Sequence, residues 1–378
     1  MKPRLFLLPI EPLAERYTGA WYRWLPESFS RSFNVTVVAG EALTERVEKG
    51  AFLDLNSTLH YKAMQLAAVA QLFQHGDVKD GDSFFVADLE FWGIDSLRYL
   101  SRLQGIPVYI FGFMHAGSYT HGDFMEPMVD VGRHSEVAWM AACDRVFVGS
   151  EYHRRALIGR RLGSETAISQ RIVVTGNPWR SAEAVGLAPK SDLYSRQRDI
   201  DVLFPHRPDK EKDPARFIRL IREFKTKHWS KPLNVAFTTG RAEYRSTNDQ
   251  VTAAAIRAGA GKEWGLWMNL KREGFYALLR RSKVVVSTAI EENFGYAMVE
   301  AMAQGAYPLM PLDFSYPELV REEDTLLYKS DLDFHALLRR LLEGRGGVTR
   351  GAVERMAQRF DGAEDRIIEE MLRVVNAP

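Results

Sequence analysis

The chain has one cysteine in 378 residues, Cys143, so no internal disulfide can staple it. That fits a reducing compartment and leaves the fold to non-covalent packing. No apolar run approaches the roughly 20 residues that a membrane-spanning helix needs. Leu5–Ile10 is too short for a signal-peptide core and is closed by Glu11, so the expectation is a soluble, cytoplasmic protein. An excess of either charge is also missing: 50 Lys and Arg face 49 Asp and Glu, a formal charge of +1. A bulk basic field is thereby excluded, and any contact with nucleic acid has to come from a local patch. Neither a repeat with a period of about 20–50 residues nor a low-complexity tract is visible.

What the chain does have is a 46% apolar composition, ample for buried cores. Its length fits two domains at roughly 100–200 residues each. Short β-rich runs alternate with helical stretches. Strands are expected at Leu5–Leu8, Val35–Val38, Phe84–Ala87, Val108–Phe111, Arg145–Val148 and Ile172–Val174, with a helix over Tyr61–Gln74. The rhythm lapses over 186–199, which reads as a linker, and then restarts. Strands follow at Asp201–Phe204, Asn234–Phe237, Leu266–Asn269, Val284–Ser287, Tyr307–Met310 and Leu326–Tyr328. Helices are expected at Pro214–His228, Glu273–Ser282, Phe294–Gln304, Asp333–Glu343 and Val353–Val375. This pattern predicts an α/β protein with two Rossmann-like lobes, 1–185 and 200–345, each built on a parallel sheet. A C-terminal helical segment, 346–378, has the option of returning to the first lobe. Ligands in such folds bind beyond the carboxyl ends of the strands, so the expected site is a cleft faced by both lobes.

The most informative stretch runs from Ser287 to Met302. An apolar strand leads into a loop with two acids, and a helix starts near Phe294 or Gly295. Glu292 lies on the loop and Glu300 on the helix, with seven residues between them. Backbone amides at a helix start accept phosphate, and carboxylates accept hydrogen bonds from hydroxyl pairs. The bland alternative is that the acids only cap the helix. A second stretch, Phe204-Pro205-His206-Arg207-Pro208-Asp209-Lys210-Glu211-Lys212-Asp213, follows the first strand of the second lobe. Arg207 and Lys212 suit a diphosphate there. Equally, Asp209, Glu211 and Asp213 could pair with those cations in a solvated turn.

Glu292-Asn293-Phe294-Gly295-x4-Glu300 resembles the E-x7-E signature of retaining GT-B glycosyltransferases of the sucrose-synthase-like group. Pro205-His206-Arg207-x4-Lys212, Val286-Ser287-Thr288-Ala289, Gly305-Ala306-Tyr307-Pro308-Leu309 and Tyr316-Pro317-Glu318 together resemble the queuosine-tRNA mannosyltransferase family, over about residues 201–320. The resemblance implies a GT-B fold and a nucleoside diphosphate sugar donor, a UDP- or GDP-sugar. It implies that Arg207 and Lys212 hold the diphosphate, that Glu300 holds the ribose, and that Glu292 meets the transferred sugar. Asn293, Phe294 and Gly295 would bring amides to the phosphates, while Ser287 and Thr288 would line the donor pocket. The lobes then become an acceptor-side lobe and a nucleotide-sugar lobe.

The first lobe departs from that family. After the strand ending near Phe111 the chain reads Phe113-Met114-His115-Ala116-Gly117-Ser118-Tyr119-Thr120-His121-Gly122-Asp123. His115 keeps the position at which related transferases contact the donor sugar, and His121 is a weaker candidate. Gly19, in Thr18-Gly19-Ala20-Trp21, could form a turn approaching the phosphates. Asp88 and Glu90 could grip an acceptor or cap the helix beginning near Ile94. Residues 151–181 hold six arginines (154, 155, 160, 161, 171 and 180) against two acids (151 and 165), a local excess of 6 − 2 = +4 that could bind a polyanion. Trp21, Trp24, Trp92 and Trp179 could stack an exposed base, or could be core.

The expected activity is metal-independent retaining transfer of a hexosyl or pentosyl group to a hydroxyl on a modified nucleic-acid base. DNA hydroxymethylpyrimidine, as in a bacteriophage DNA-modifying relative acting in host cytoplasm, ranks above tRNA. A glycan, lipid or small-molecule acceptor is the alternative, and a non-catalytic GT-B binding module is the third reading.

Overall fold

The computed structural model describes residues 2–13, 17–42, 55–91, 93–123, 125–187, 198–239, 243–321 and 323–377. The chain divides into two compact units, Met1–Pro178 with Gly362–Pro378, and Trp179–Asp361. Among the described residues no helix is long and apolar enough to cross a membrane.

The first unit is a six-stranded parallel sheet of β1 (Arg4–Leu8), β2 (Asn34–Val37), β3 (Ser83–Val86), β4 (Tyr109–Phe113), β5 (Arg145–Val148) and β6 (Ile172–Val174). The order is β2-β1-β3-β4-β5-β6. Parallel neighbours require crossovers, and helices such as Leu55–Gln74 and Ile94–Gln104 provide them. The inner strand β3, Ser83-Phe84-Phe85-Val86, is buried at every position, as a parallel sheet covered on both faces requires. β2, at the sheet edge, reads Asn-Val-Thr-Val and stays largely exposed.

The helix Ala363–Val375 packs on Tyr17–Phe29 in this unit. Arg145 Nε donates to Glu370 at 3.2 Å and Arg366 Nε to the Thr175 carbonyl at 2.6 Å. The single helix expected over Val353–Val375 is two, Arg350–Gln358 and Ala363–Val375. Gly362 caps the second at a φ of 81°, a left-handed conformation that interrupts helical hydrogen bonding.

Gly19 also differs from expectation. It lies inside the helix Tyr17–Phe29 rather than in a turn. Trp21, Trp24, Leu25 and Phe29 recur at helical spacing and are buried, and that stripe prevails over the weak local preferences of Gly19 and Pro26.

The second unit repeats the architecture with β7 (Ile200–Phe204), β8 (Val235–Thr238), β9 (Gly265–Trp267), β10 (Ser282–Val286), β11 (Tyr307–Pro311) and β12 (Leu327–Tyr328), ordered β12-β11-β10-β7-β8-β9 and all parallel. Its core gathers Val202, Phe204, Phe237, Val284, Val286 and Leu309. Before β7 comes the helix Ser181–Leu187, which belongs to this unit. The expected linker 186–199 lies mostly outside the described residues. β7 leads on to β8 on one side while its neighbour β10 leads on to β11 on the other, so the connections of these two adjacent strands leave in opposite directions. At such a switch point the loops beyond the carboxyl ends diverge and open a crevice. The loops following β7 and β10 are the two stretches singled out in the sequence.

Candidate functional site

Three loops of the second unit are stitched together at the carboxyl ends of β10, β7 and β8. From the loop after β8, Tyr244 donates its hydroxyl to the His206 carbonyl at 3.3 Å. Ser246 Oγ and Thr247 N donate to Asp209 Oδ1 at 2.8 and 2.6 Å. From the loop after β10, Ile290 N donates to the Glu211 carbonyl at 2.9 Å. Thr288 Oγ1 donates to the carbonyls of Lys212 and Asp213 at 3.0 and 2.8 Å. The loop carrying the two cations is therefore fixed from both sides before any ligand arrives.

Each cation meets an acid. Lys212 Nζ lies 2.9 Å from Glu292 Oε2. Arg207 Nε sits 2.6 Å from Asp209 Oδ2, and its guanidinium also pairs with Glu211. The self-pairing weighed in the sequence thus holds for Asp209 and Glu211. Asp213 instead caps the helix Pro214–Glu223 by accepting from Arg216 N. Arg207 and Lys212 are 21% and 15% exposed, so neither is simply solvated. The buried His206 ring is held well below its ordinary pKa by burial and then by Lys212 and Arg207, so it is neutral.

Glu292 does more than pair with Lys212. Its Oε1 accepts the backbone amides of Phe294 and Gly295 at 3.4 and 3.1 Å. Two amides expected to be open to phosphate are thus met by the protein's own carboxylate. Burial would raise the Glu292 pKa, but Lys212 and these amides more than reverse that and leave it lowered. Gly295, at φ 91°, caps the helix Tyr296–Ala303, and a Cβ there would come within 3.0–3.2 Å of Leu319 and Tyr316.

Glu300 lies on that helix, 4% exposed. Its Oε1 is bound by the Arg272 guanidinium and by the Tyr276 hydroxyl, the latter at 3.3 Å. Arg272 and Tyr276 had gone unnoticed in the sequence, since nothing local connects them to a glutamate more than twenty residues on. Ser287 and Thr288 are fully buried. The Ser287 hydroxyl is 2.6 Å from that of Tyr316 and Thr288 anchors the cation loop, so both side chains turn inward to support the site rather than line a pocket.

In the first unit, His115 follows β4. Its Nε2 lies 2.9 Å from the Ala87 carbonyl and its Nδ1 3.2 Å from the Tyr17 hydroxyl. A carbonyl only accepts, so Nε2 carries a proton and donates to Ala87. The rings of Trp21 and Phe113 lie 4.7 and 5.0 Å away, centroid to centroid. Asp88 pairs with Lys62 at 2.8 Å, and Lys62 also donates to the Glu90 carbonyl. The helix from Ile94 is capped by Gly93 with no side-chain bond, which removes the capping role considered for Asp88 and Glu90. Burial would raise the Asp88 pKa, but Lys62 and His115 bring it below the ordinary value. Glu90 is the opposite case: burial, aided by Asp88, Asp123 and Glu136, outweighs Lys62 and raises it to about 8. His121 forms an exposed pair with Glu126 at 3.2 Å.

The expected polyanion patch is largely committed elsewhere. Arg154 donates to the Ile172 carbonyl, Arg160 to Tyr119, Arg161 to buried Glu136, and Arg171 to Cys143. These arginines tie loops together, which the charge count could not reveal. Trp21, Trp24 and Trp179 are core residues, at most 5% exposed, and do not present faces for a base. Trp92 lies outside the described residues.

Residues 190–359 match the family described as glycosyl transferases group 1, a stretch that corresponds to most of the second unit. Sucrose-phosphate synthase from Thermosynechococcus elongatus superposes with a TM-score of 0.69 at 12% identity, covering 100% of both chains. The α,α-trehalose 6-phosphate synthase from Burkholderia multivorans gives 0.64 at 14%, covering 100% of this chain and 98% of the other. These likenesses show a GT-B fold with two parallel α/β units, and the family match falls on the second of them. Among curated relatives, the tRNA-queuosine alpha-mannosyltransferase of Drosophila melanogaster is 27% identical over 128 residues, 34% of this chain. The chain spans about a third of that relative's length, 32%.

Proposed function

We propose that this chain is a retaining, metal-independent glycosyltransferase that moves a sugar from a UDP- or GDP-sugar to a hydroxyl on a modified nucleic-acid base. The observation that carries the proposal is the Lys212–Glu292 ion pair, which joins the loops after β7 and β10, with Arg207 on the first loop and Glu300 on the helix that follows the second. Arg207 and Lys212 supply the positive charge that offsets the leaving diphosphate, a task for which no metal is then required. Glu300 accepts from the ribose hydroxyls. Glu292 meets the sugar, and Asn293, Phe294 and Gly295 carry backbone amides beside it. In the transfer, the bond between the anomeric carbon and the phosphate oxygen breaks and the acceptor oxygen bonds to that carbon on the same face. The acceptor proton passes to the departing phosphate. His115 and the Asp88–Glu90 loop are assigned to the sugar and the acceptor.

The sequence ranked DNA above tRNA. The partial likeness to a tRNA mannosyltransferase favours the reverse order. A glycan, lipid or small-molecule acceptor is the second reading, favoured by the internal use of Arg154, Arg160, Arg161 and Arg171. Incubation with labelled donor sugars in EDTA, against tRNA, hydroxymethylated DNA and an oligosaccharide panel, tests the proposal. Label in tRNA with retained anomeric configuration supports it. Label only in oligosaccharide overturns the acceptor, an inverted anomer overturns the stereochemistry, and activity abolished by EDTA overturns metal independence.

A further inference from the structure

We infer that Arg272 and Tyr276 are positioning residues that aim the Glu300 carboxylate at a ribose diol, so that the nucleotide site selects ribonucleotides over deoxyribonucleotides. The inference rests on the nucleotide-donor reading above and deepens it.

Arg272 and Tyr276 are four residues apart on the helix Arg272–Arg281, so they share one face. The guanidinium lies 4.8 Å over the tyrosine ring. Both groups converge on Oε1 of Glu300. Among the described residues, Oε2 takes no hydrogen bond. A carboxylate offers about four acceptor sites, so binding one oxygen firmly leaves the other fixed in direction and still able to accept. The Arg272 guanidinium also gives the buried Glu300 carboxylate an ion-pair partner, which offsets the cost of its desolvation. Burial alone would lower the Arg272 pKa, yet Glu300 and Tyr276 hold it raised, so the cation persists.

An ionised carboxylate accepts and cannot donate. Its natural ligand presents adjacent O–H groups, as a ribose diol does and a deoxyribose does not. Aim matters as well as charge, since a carboxylate free to rotate would bind either sugar with less distinction. Arg272 and Tyr276 remove that rotation without touching the nucleotide.

Calorimetric titration of the whole protein with UDP, GDP and their 2′-deoxy and 3′-deoxy counterparts tests this. The wild type is expected to prefer the ribonucleotide by about tenfold or more, the scale of a hydrogen bond to a charged group. Glu300→Gln and Arg272→Gln should bring the ratio toward one, Tyr276→Phe should lower it by roughly twofold to fivefold, and Arg272→Lys should recover part of it. A thermal melt accompanies each variant, and should Arg272→Gln fail to fold, Tyr276→Phe carries the test. If the Arg272 and Tyr276 variants keep the wild-type ratio while Glu300→Gln loses it, the positioning inference falls and the ribose assignment stands. If Arg272→Gln loses it while Glu300→Gln keeps it, Arg272 acts without Glu300 and the inference is overturned. Absence of binding, or of any preference in the wild type, overturns the ribose assignment itself.

Discussion

The Lys212 ammonium lies 2.9 Å from the Glu292 carboxylate, and the two arrive on different strand-to-helix loops, after β7 and after β10. One ion pair thereby joins the group assigned to the diphosphate with the group assigned to the sugar. Removing either partner strands the other. Lys212→Ala leaves the half-buried Glu292 without its cation, and a loss on the order of 1–3 kcal/mol is expected by chemical denaturation.

Glu292 has a lowered pKa in the folded state. Its stabilisation is therefore fully present above the ordinary glutamate pKa and disappears as pH falls through the lower folded value. The stability difference between wild type and Glu292→Gln should shrink on acidification in that window. Urea titrations at stepwise pH measure it, and a difference that grows as pH falls would refute the pairing.

Arg207 is held by Asp209 and Glu211. Arg207→Ala should weaken nucleoside diphosphate binding by about tenfold to a hundredfold. Glu211→Gln should cost less, because Asp209 still holds Nε at 2.6 Å. Equal losses by calorimetry would argue against Asp209 as an independent anchor.

The alternation of apolar runs made both parallel sheets legible, and E-x7-E with Arg207 and Lys212 made the loops of the second unit legible. These are local patterns. What the sequence hid was pairing across distance: Arg272 and Tyr276 on Glu300, and Ser246 on Asp209. Charge and aromatic counts also misled in the first unit. An arginine bound to a carbonyl and one facing water count alike, and a tryptophan in the core has the same letter as one awaiting a base. Gly19 shows a different failure, since a residue that favours turns was carried into a helix by the buried stripe around it.

Glu90 gives a pH signature of the opposite sign to Glu292. With a folded pKa of about 8 it is protonated in the native state where the unfolded chain has already ionised. Its contribution to stability is complete below the ordinary glutamate value and is lost as pH rises through about 8. Glu90→Gln should flatten the decline in melting temperature over that range. An unchanged slope would place Glu90 in an ordinary solvated setting.

The most direct measurement is release of nucleoside diphosphate from a panel of UDP- and GDP-sugars by wild type, Lys212→Ala and Glu300→Ala in the presence of acceptor. The expected result is turnover by the wild type with at least one donor, reduced by about a hundredfold or more in both variants, while their circular dichroism spectra remain native. Wild-type turnover rates in folded Lys212→Ala and Glu300→Ala, or no release from any donor, would contradict the assignment of this site to donor binding and transfer.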